Sequence, residues 1–208
     1  RPGRMAPRNI IVAAVLIVAL AAGIFVAARL QQPPAELRAA LILPAPTPLP
    51  EFTLLDQFGD SVTPASFRDQ WSLVFFGFTH CPDICPITLH VLASARDSLR
   101  ATAHRPLPRI VLVSVDPERD TPELLGKYVS NFGDGNLGLT GSLDELTRLT
   151  SALGIYFQKQ PGDAENYSVD HSAAVLLFNP EGNLHALFTG PHVAEDYVND
   201  LAIIMEAG

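Results

Sequence analysis

Trp71-Ser72-Leu73-Val74-Phe75-Phe76-Gly77-Phe78-Thr79-His80-Cys81-Pro82-Asp83-Ile84-Cys85-Pro86 passes from an apolar segment through a thiol-bearing loop into a helix start, and it holds both cysteines of the 208-residue chain. The run from Trp71 to Phe78 is what a strand covered on both faces requires. Pro82 pushes Cys81 into extended backbone and away from helix. Pro86 suits the first helical position, where no N–H is needed. Cys85 is then expected as the N-cap, its sulfur facing unpaired N–H groups and the positive end of the helix dipole, which lowers a thiol pKa. Two thiols four apart can close a small disulfide, exchange electrons with another dithiol, or clamp a soft metal.

Outward from this stretch, strand and helix signals alternate. Leu89, Leu92, Ala95 and Leu99 recur at three- and four-residue spacing, the core face of a helix starting near Pro86. Arg109 to Val115 reads as a second buried strand. Thr121-Pro122-Glu123 opens another helix, with Thr121 as N-cap and Pro122 in the first turn. A short strand at Leu137–Thr140 and a helix from Ser142 to Leu153 come next. Ala173–Phe178 and Leu184–Phe188 pair around the turn Asn179-Pro180-Glu181-Gly182, and a last helix runs from Val193 to Met205. Ahead of the first buried strand, Phe52–Leu55, the turn Asp56–Gly59 and Ser61–Thr63 read as an N-terminal β-hairpin. The fold class is α/β, with both cysteines on the first strand-to-helix loop, where open α/β sheets place their sites.

The first fifty residues have a different character. Ile10 to Ala28 contains no charge and no proline; at 1.5 Å per residue it spans about 28 Å, close to the hydrocarbon thickness of a bilayer. Arg1, Arg4 and Arg8 precede it, so the positive-inside rule keeps the N-terminus cytoplasmic and exports the chain beyond Arg29. Met5 is a candidate start, which would leave Arg8 as the one inside charge. A cleaved signal peptide ending at Val26-Ala27-Ala28 is the rival reading, but the apolar run exceeds the usual h-region. The expected organisation is a cytoplasmic N-terminus at 1–9, a transmembrane anchor at 10–28, a Pro-rich linker at 29–50 and one domain at 51–208. The linker carries Pro33, Pro34, Pro44, Pro46, Pro48 and Pro50, which favour polyproline-like tether, interrupted only by Leu41-Ile42-Leu43, a candidate edge strand or a patch lying on the domain. The implied localisation is a single-pass protein of the bacterial cytoplasmic membrane with its domain on the extracytoplasmic side. No Arg- and Ser-rich transit segment fits before Ile10. Net charge is −8, and beyond residue 30 ten bases face twenty-two acids, which argues against nucleic acid and anionic lipid as partners.

Export bears on the thiols, since a close pair in an oxidising compartment becomes a disulfide unless it is reduced or metallated. Closing so short a loop stabilises the fold little, so a passive staple is a weak account. Among six histidines, His80 adjoins Cys81 in extended chain and should point to the opposite side. His90 lies about 140° around a helix from Cys85. His104, His185 and His192 read as ordinary surface residues. His171 stands between a polar loop and a buried strand in Tyr167-Ser168-Val169-Asp170-His171-Ser172, with Asp170 beside it as a carboxylate that could orient the imidazole. Two thiolates and an imidazole make a soft, low-coordinate site suited to Cu(I) and able to hold Cu(II), whereas zinc would want a fourth ligand.

Three stretches together resemble the Sco/SenC family: Phe75 to Pro86, Ser114-Val115-Asp116-Pro117-Glu118-Arg119-Asp120-Thr121-Pro122, and Tyr167 to Ser172. The resemblance covers residues 44 to 206. It implies a thioredoxin-like fold with an N-terminal β-hairpin, and copper ligands at Cys81, Cys85 and His171, the cysteines also forming a redox disulfide. Asp116 and Asp170 match family positions by motif, as residues supporting the site. The implied role is assembly of the dinuclear copper centre, CuA, of cytochrome c oxidase. The partners are oxidase subunit II, an upstream copper donor and a thiol reductant. Two functions fit: a copper metallochaperone, and a thiol–disulfide reductase that keeps the acceptor's cysteines reduced. Three residues between the cysteines, rather than the two of a thioredoxin-type pair, and the presence of His171 favour the first; a peroxiredoxin-like peroxidase is more remote.

Overall fold

The computed structural model describes residues 16–21, 23, 36–102, 106–163 and 167–207. The chain divides into residues 1–36 and a compact unit from Leu37 to Gly208. In the first part, residues 16–21 and 23 are helical and exposed. Among the described residues no helix is long and apolar enough to cross a membrane. The rest of the expected anchor at 10–28, and all of the expected cytoplasmic segment at 1–9, lie outside the described residues.

The second unit is built on strand β4 (Ser72–Gly77), in which all six residues are buried. It pairs parallel with β5 (Arg109–Ser114) and antiparallel with β9 (Val175–Phe178). Helix α1 (Ile84–Ala101) makes the crossover from β4 to β5 and buries Leu89, Leu92, Ala95 and Leu99, as their spacing predicts. β5 continues to the parallel strand β6 (Leu137–Thr140) through α2 (Pro122–Ser130). There Thr121 accepts the Leu124 N–H at 3.3 Å and Pro122 occupies the first turn. After β6, α3 (Leu143–Ala152) is capped by Ser142. β9 turns into β10 (Asn183–Phe188), and α4 (Ala194–Ala207) closes the chain by packing on α1. The order β5-β4-β9-β10 with β9 and β10 reversing direction in turn is the thioredoxin-like core.

Two additions flank that core. The expected hairpin forms from β2 (Leu54–Asp56) and β3 (Ser61–Val62), and β2 pairs with β6 to extend one edge of the sheet. At the opposite edge stands β1 (Ala40–Pro48), antiparallel to β10. This corrects the linker expected at 29–50: from Leu37 onward the chain belongs to the compact unit, with Leu49 and Phe52 buried in it. Pro44, Pro46 and Pro48 alternate, so their missing N–H groups fall on one side of the strand, which an edge strand can turn away from its neighbour. Extended backbone serves a tether and an edge strand equally, and composition does not say whether a partner strand lies alongside. The Asp200 carboxylate fastens the entry to β1 by accepting the N–H groups of Arg38, Ala39 and Ala40 at 2.8, 2.8 and 2.7 Å. Burial works against its ionisation, but these N–H groups and the Asn199 amide outweigh it and hold the carboxyl below its usual range.

A separate two-stranded ribbon joins β7 (Phe157–Lys159) to β8 (Val169–His171), with Phe157 opposite His171. It is not hydrogen-bonded into the eight-stranded sheet, and it carries the one histidine that the sequence marks for the site.

Candidate metal centre

The site lies at the C-terminal ends of β4 and β5, where Gly77 and Ser114 are in register. Beyond Gly77 the chain makes a tight turn, with the Cys81 N–H donating to the Phe78 carbonyl at 3.3 Å. The helix then begins at Ile84, with Asp83 as its N-cap. This corrects the expectation that Cys85 is the cap. None of the first N–H groups of a helix has an intrahelical partner, so a proline fits anywhere in that turn, and Pro86 stands third in it. Cys85 consequently lies inside the first turn with its sulfur directed into the core, fully buried. Burial pushes its thiol pKa up, against a backbone hydrogen bond at Phe78 that acts the other way. The environment expected to favour the Cys85 thiolate is therefore reversed: desolvation outweighs the backbone hydrogen bond that favours the charged form.

Cys81 is only half-buried, and its sulfur accepts the Cys85 N–H at 3.5 Å; both cysteines are free thiols. Opposite them, His171 brings Nε2 to 3.3 Å from Cys85 Sγ. Its Nδ1 lies 3.1 Å from the Ser172 carbonyl oxygen. A carbonyl only accepts, so Nδ1 carries the proton and Nε2 presents its lone pair toward the sulfur. The rings of Phe75 and Phe78 meet the imidazole edge-on, with centroids at 5.7 and 5.9 Å. Burial lowers the His171 pKa, opposed by the Ser172 bond and by Asp170. The ligand atoms of Cys81, Cys85 and His171 all lie within 4.8 Å of one another, and theirs is the one such cluster of three among the described residues. Two sulfurs and one neutral nitrogen converging on a largely apolar niche can hold a soft cation, and the two sulfurs are also close enough to exchange electrons as a dithiol.

The other expected site residues lie elsewhere. Asp170 does not touch His171; its carboxylate accepts from Gln160 Nε2 at 2.6 Å. The reason is strand alternation: in β8, Val169 and His171 face inward and Asp170 faces out, as period two demands. Asp116 is buried and accepts from Tyr167 Oη and from Arg119 Nε, both at 2.6 Å, so it supports the segment leading to His171 without reaching the imidazole. His80 turns away from the thiols, its Nδ1 3.1 Å from Thr79 Oγ1 and 3.7 Å from Asp120. His90 is exposed on α1, and His104 lies outside the described residues. His185 and His192 are not ordinary surface residues. His185 is half-buried edge-on against Trp71, and His192 bridges the Ala173 carbonyl and the Tyr197 hydroxyl at 2.7 and 2.8 Å. Sequence reading missed Asp120, which is buried and accepts from the Thr79 N–H, the Thr79 hydroxyl and the Ser114 hydroxyl. Its one signal is a second aspartate four residues after Asp116, just before a helix cap.

Residues 44–206 match the SCO1/SenC family. The chain is 40% identical over 152 residues to the mitochondrial SCO2 homolog of Mus musculus, a span of 73% of this chain and 60% of the mouse protein. It is 38% identical over 151 residues to a candidate copper-binding protein of Stutzerimonas stutzeri, spanning 73% of this chain and 74% of that one. Among solved structures, Arabidopsis thaliana ScoI with copper bound superposes with a TM-score of 0.73 at 32% identity, covering 78% of this chain and all of the other.

Proposed function

This chain belongs to the SCO1/SenC family, and from that membership we propose that it is a copper-binding metallochaperone that delivers copper to the CuA centre of cytochrome c oxidase during assembly. The observation that carries the reading is the convergence of Cys81, Cys85 and His171 within 4.8 Å. Cys85 is fully buried and preformed against the half-buried His171, while Cys81 is the less buried of the two thiols. Copper held by all three would leave by ligand exchange at Cys81, where an acceptor thiolate can enter, and the ribbon bearing His171 would then release the ion. This chain would receive copper from an upstream donor and pass it to oxidase subunit II, with a thiol reductant keeping Cys81 and Cys85 reduced. Residues 10–28 would anchor the chain in the bacterial cytoplasmic membrane, with the domain on the extracytoplasmic side; the uncharged run and the arginines before it support this.

The full-length reduced chain should bind one copper, and Cys81→Ala or Cys85→Ala should abolish tight binding. A double-cysteine variant that binds copper as tightly as the parent would sink the assignment. The free, adjacent thiols also suit a reductase: Cys81 and Cys85 would give two electrons and two protons to the acceptor's disulfide and become a disulfide themselves, to be reset by a dithiol reductant. Full reductase activity in a chain that takes up no copper would favour that second function.

A further inference from the structure

Two of the three donors, Cys81 and His171, stand on segments outside the main sheet and its helices. Cys81 sits on the turn between β4 and α1, and the imidazole sits on the β7–β8 ribbon, which has no ladder to the eight strands. Both are tied to one short segment, the loop between β5 and α2. On the thiol side, the Asp120 carboxylate accepts the Thr79 N–H at 3.0 Å and the Thr79 hydroxyl at 2.5 Å, two residues before Cys81. It also accepts the Ser114 hydroxyl at 2.6 Å. On the imidazole side, Asp116 accepts the Tyr167 hydroxyl at 2.6 Å, four residues before His171. The Tyr167 ring lies between the Arg119 guanidinium at 3.6 Å and the Lys159 ammonium of β7 at 3.9 Å. Ser114 links the two sides, because the same hydroxyl oxygen that donates to Asp120 accepts the Asp116 N–H at 3.0 Å. Asp116 and Asp120 are nearly inaccessible to water. Buried carboxylates are costly unless fully hydrogen-bonded, so these bonds tolerate little drift.

We infer that the Ser114–Asp120 loop sets Cys81 against the imidazole, with Asp120 positioning the turn that carries Cys81 through Thr79 and Asp116 positioning the ribbon through Tyr167. Neither carboxylate touches a ligand atom, so both act through the segments they hold. The inference rests on the proposed copper function and names what fixes the geometry of that same site.

The test uses the full-length reduced chain with Cu(I), its affinity read by competition with a chromophoric chelator, and the Cu(II) form, its thiolate-to-copper absorption read directly. Asp120→Asn strikes the core itself, so the milder Thr79→Val and Tyr167→Phe carry the experiment, with Thr79→Ser as the conservative rescue. Removing support of this kind costs about 10–100-fold in metal affinity. Thr79→Val and Tyr167→Phe should each lose affinity in that range with a shifted absorption band, and Thr79→Ser should stay near the parent. Because both struts bear on one loop, the double variant should lose less than the product of the two single losses. Unchanged affinity and spectrum with only a lower unfolding midpoint would reduce these residues to structural ones and overturn the inference, and losses that multiply would overturn the shared loop. A Cys81→Ala/Cys85→Ala chain run alongside separates the two failures. If it binds copper like the parent, the copper reading falls; if it loses copper while Thr79→Val and Tyr167→Phe keep it, the positioning loop falls alone.

Discussion

Gly77→Ala tests how tightly the buried sulfur is held. Gly77 ends β4, and a methyl group there would stand 2.8 Å from Cys85 Sγ, 2.9 Å from a ring carbon of Phe75 and 3.3 Å from Leu112 Cδ1. Non-bonded heavy atoms rest at about 3.5–4.0 Å, so the sulfur would have to retreat by about 0.7 Å or more. It has little freedom to do so. Cys85 has a side chain of one carbon, sits in the first turn of α1 and is fully buried, with His171 Nε2 at 3.3 Å. Overpacking of this kind costs about 1–3 kcal/mol, and the apo chain should lose that much in a denaturant titration. Displacement of Cys85 also spoils the ligand set, and each ~1.4 kcal/mol of misfit at the ligand atoms is a tenfold loss of copper affinity. Gly77→Ala should therefore be both less stable and at least about tenfold weaker for Cu(I). A variant with the parent's unfolding midpoint and copper affinity would refute the close approach of Gly77 and Cys85.

A disulfide offers no thiolate, so the oxidised chain should bind copper weakly and recover on reduction; equal uptake by both forms would contradict this. Burial raises the Cys85 thiol pKa, so copper must displace a proton that is still bound at neutral pH, and apparent affinity should rise from about pH 6 to pH 8, a trend that a titration series would show or exclude. His171→Ala should weaken copper binding and alter the thiolate-to-copper absorption while both cysteines stay reactive to thiol reagents; in cells it should impair oxidase assembly, with partial rescue by added copper. Intact assembly and spectrum in that variant, beside loss of assembly in Cys81→Ala, would turn the reading to the reductase. Asp200→Ala should cost about 2 kcal/mol by leaving the N–H groups of Arg38, Ala39 and Ala40 without their acceptor. Because the folded carboxyl is held below its usual range, its contribution is complete above about pH 4 and lost as pH falls through the folded value. Acid unfolding should thus be shallower in the variant than in the parent, and identical acid profiles would remove Asp200 from the account.

Much of the fold was legible because its signals are local. The apolar run of β4, the spacing of Leu89, Leu92, Ala95 and Leu99, the Thr121 and Ser142 caps and the Asn179–Gly182 turn each depend on a few neighbouring residues. What escaped depends on distant ones. The edge strand at Leu41-Ile42-Leu43 was legible, but its length, Ala40–Pro48, and its place were not, because β10 lies beside it and Asp200, 160 residues away, receives its first N–H groups. The position of Cys85 within its helix turned on a proline that is tolerated at several positions, so the residue type could not choose among them. Asp170 was legible in principle, since alternation along β8 already sends it to the face opposite His171, but only once β8 is known to be a strand.

The sequence by itself determined the donor set, two thiols and an imidazole, because the chemistry of a soft site resides in residue types that are few here: two cysteines and six histidines. It also determined that the thiols come after a buried strand and enter a helix, because proline and apolar runs act over a handful of residues. Only the tertiary structure decided that Cys85 is the fully buried sulfur and Cys81 the less buried one, that His171 arrives from 86 positions further along the chain with its proton on Nδ1, and that Asp116 and Asp120 tie the two halves together through Ser114. Exposure, protonation and the pairing of distant carboxylates depend on what packs around a group, and that is set by the whole chain at once.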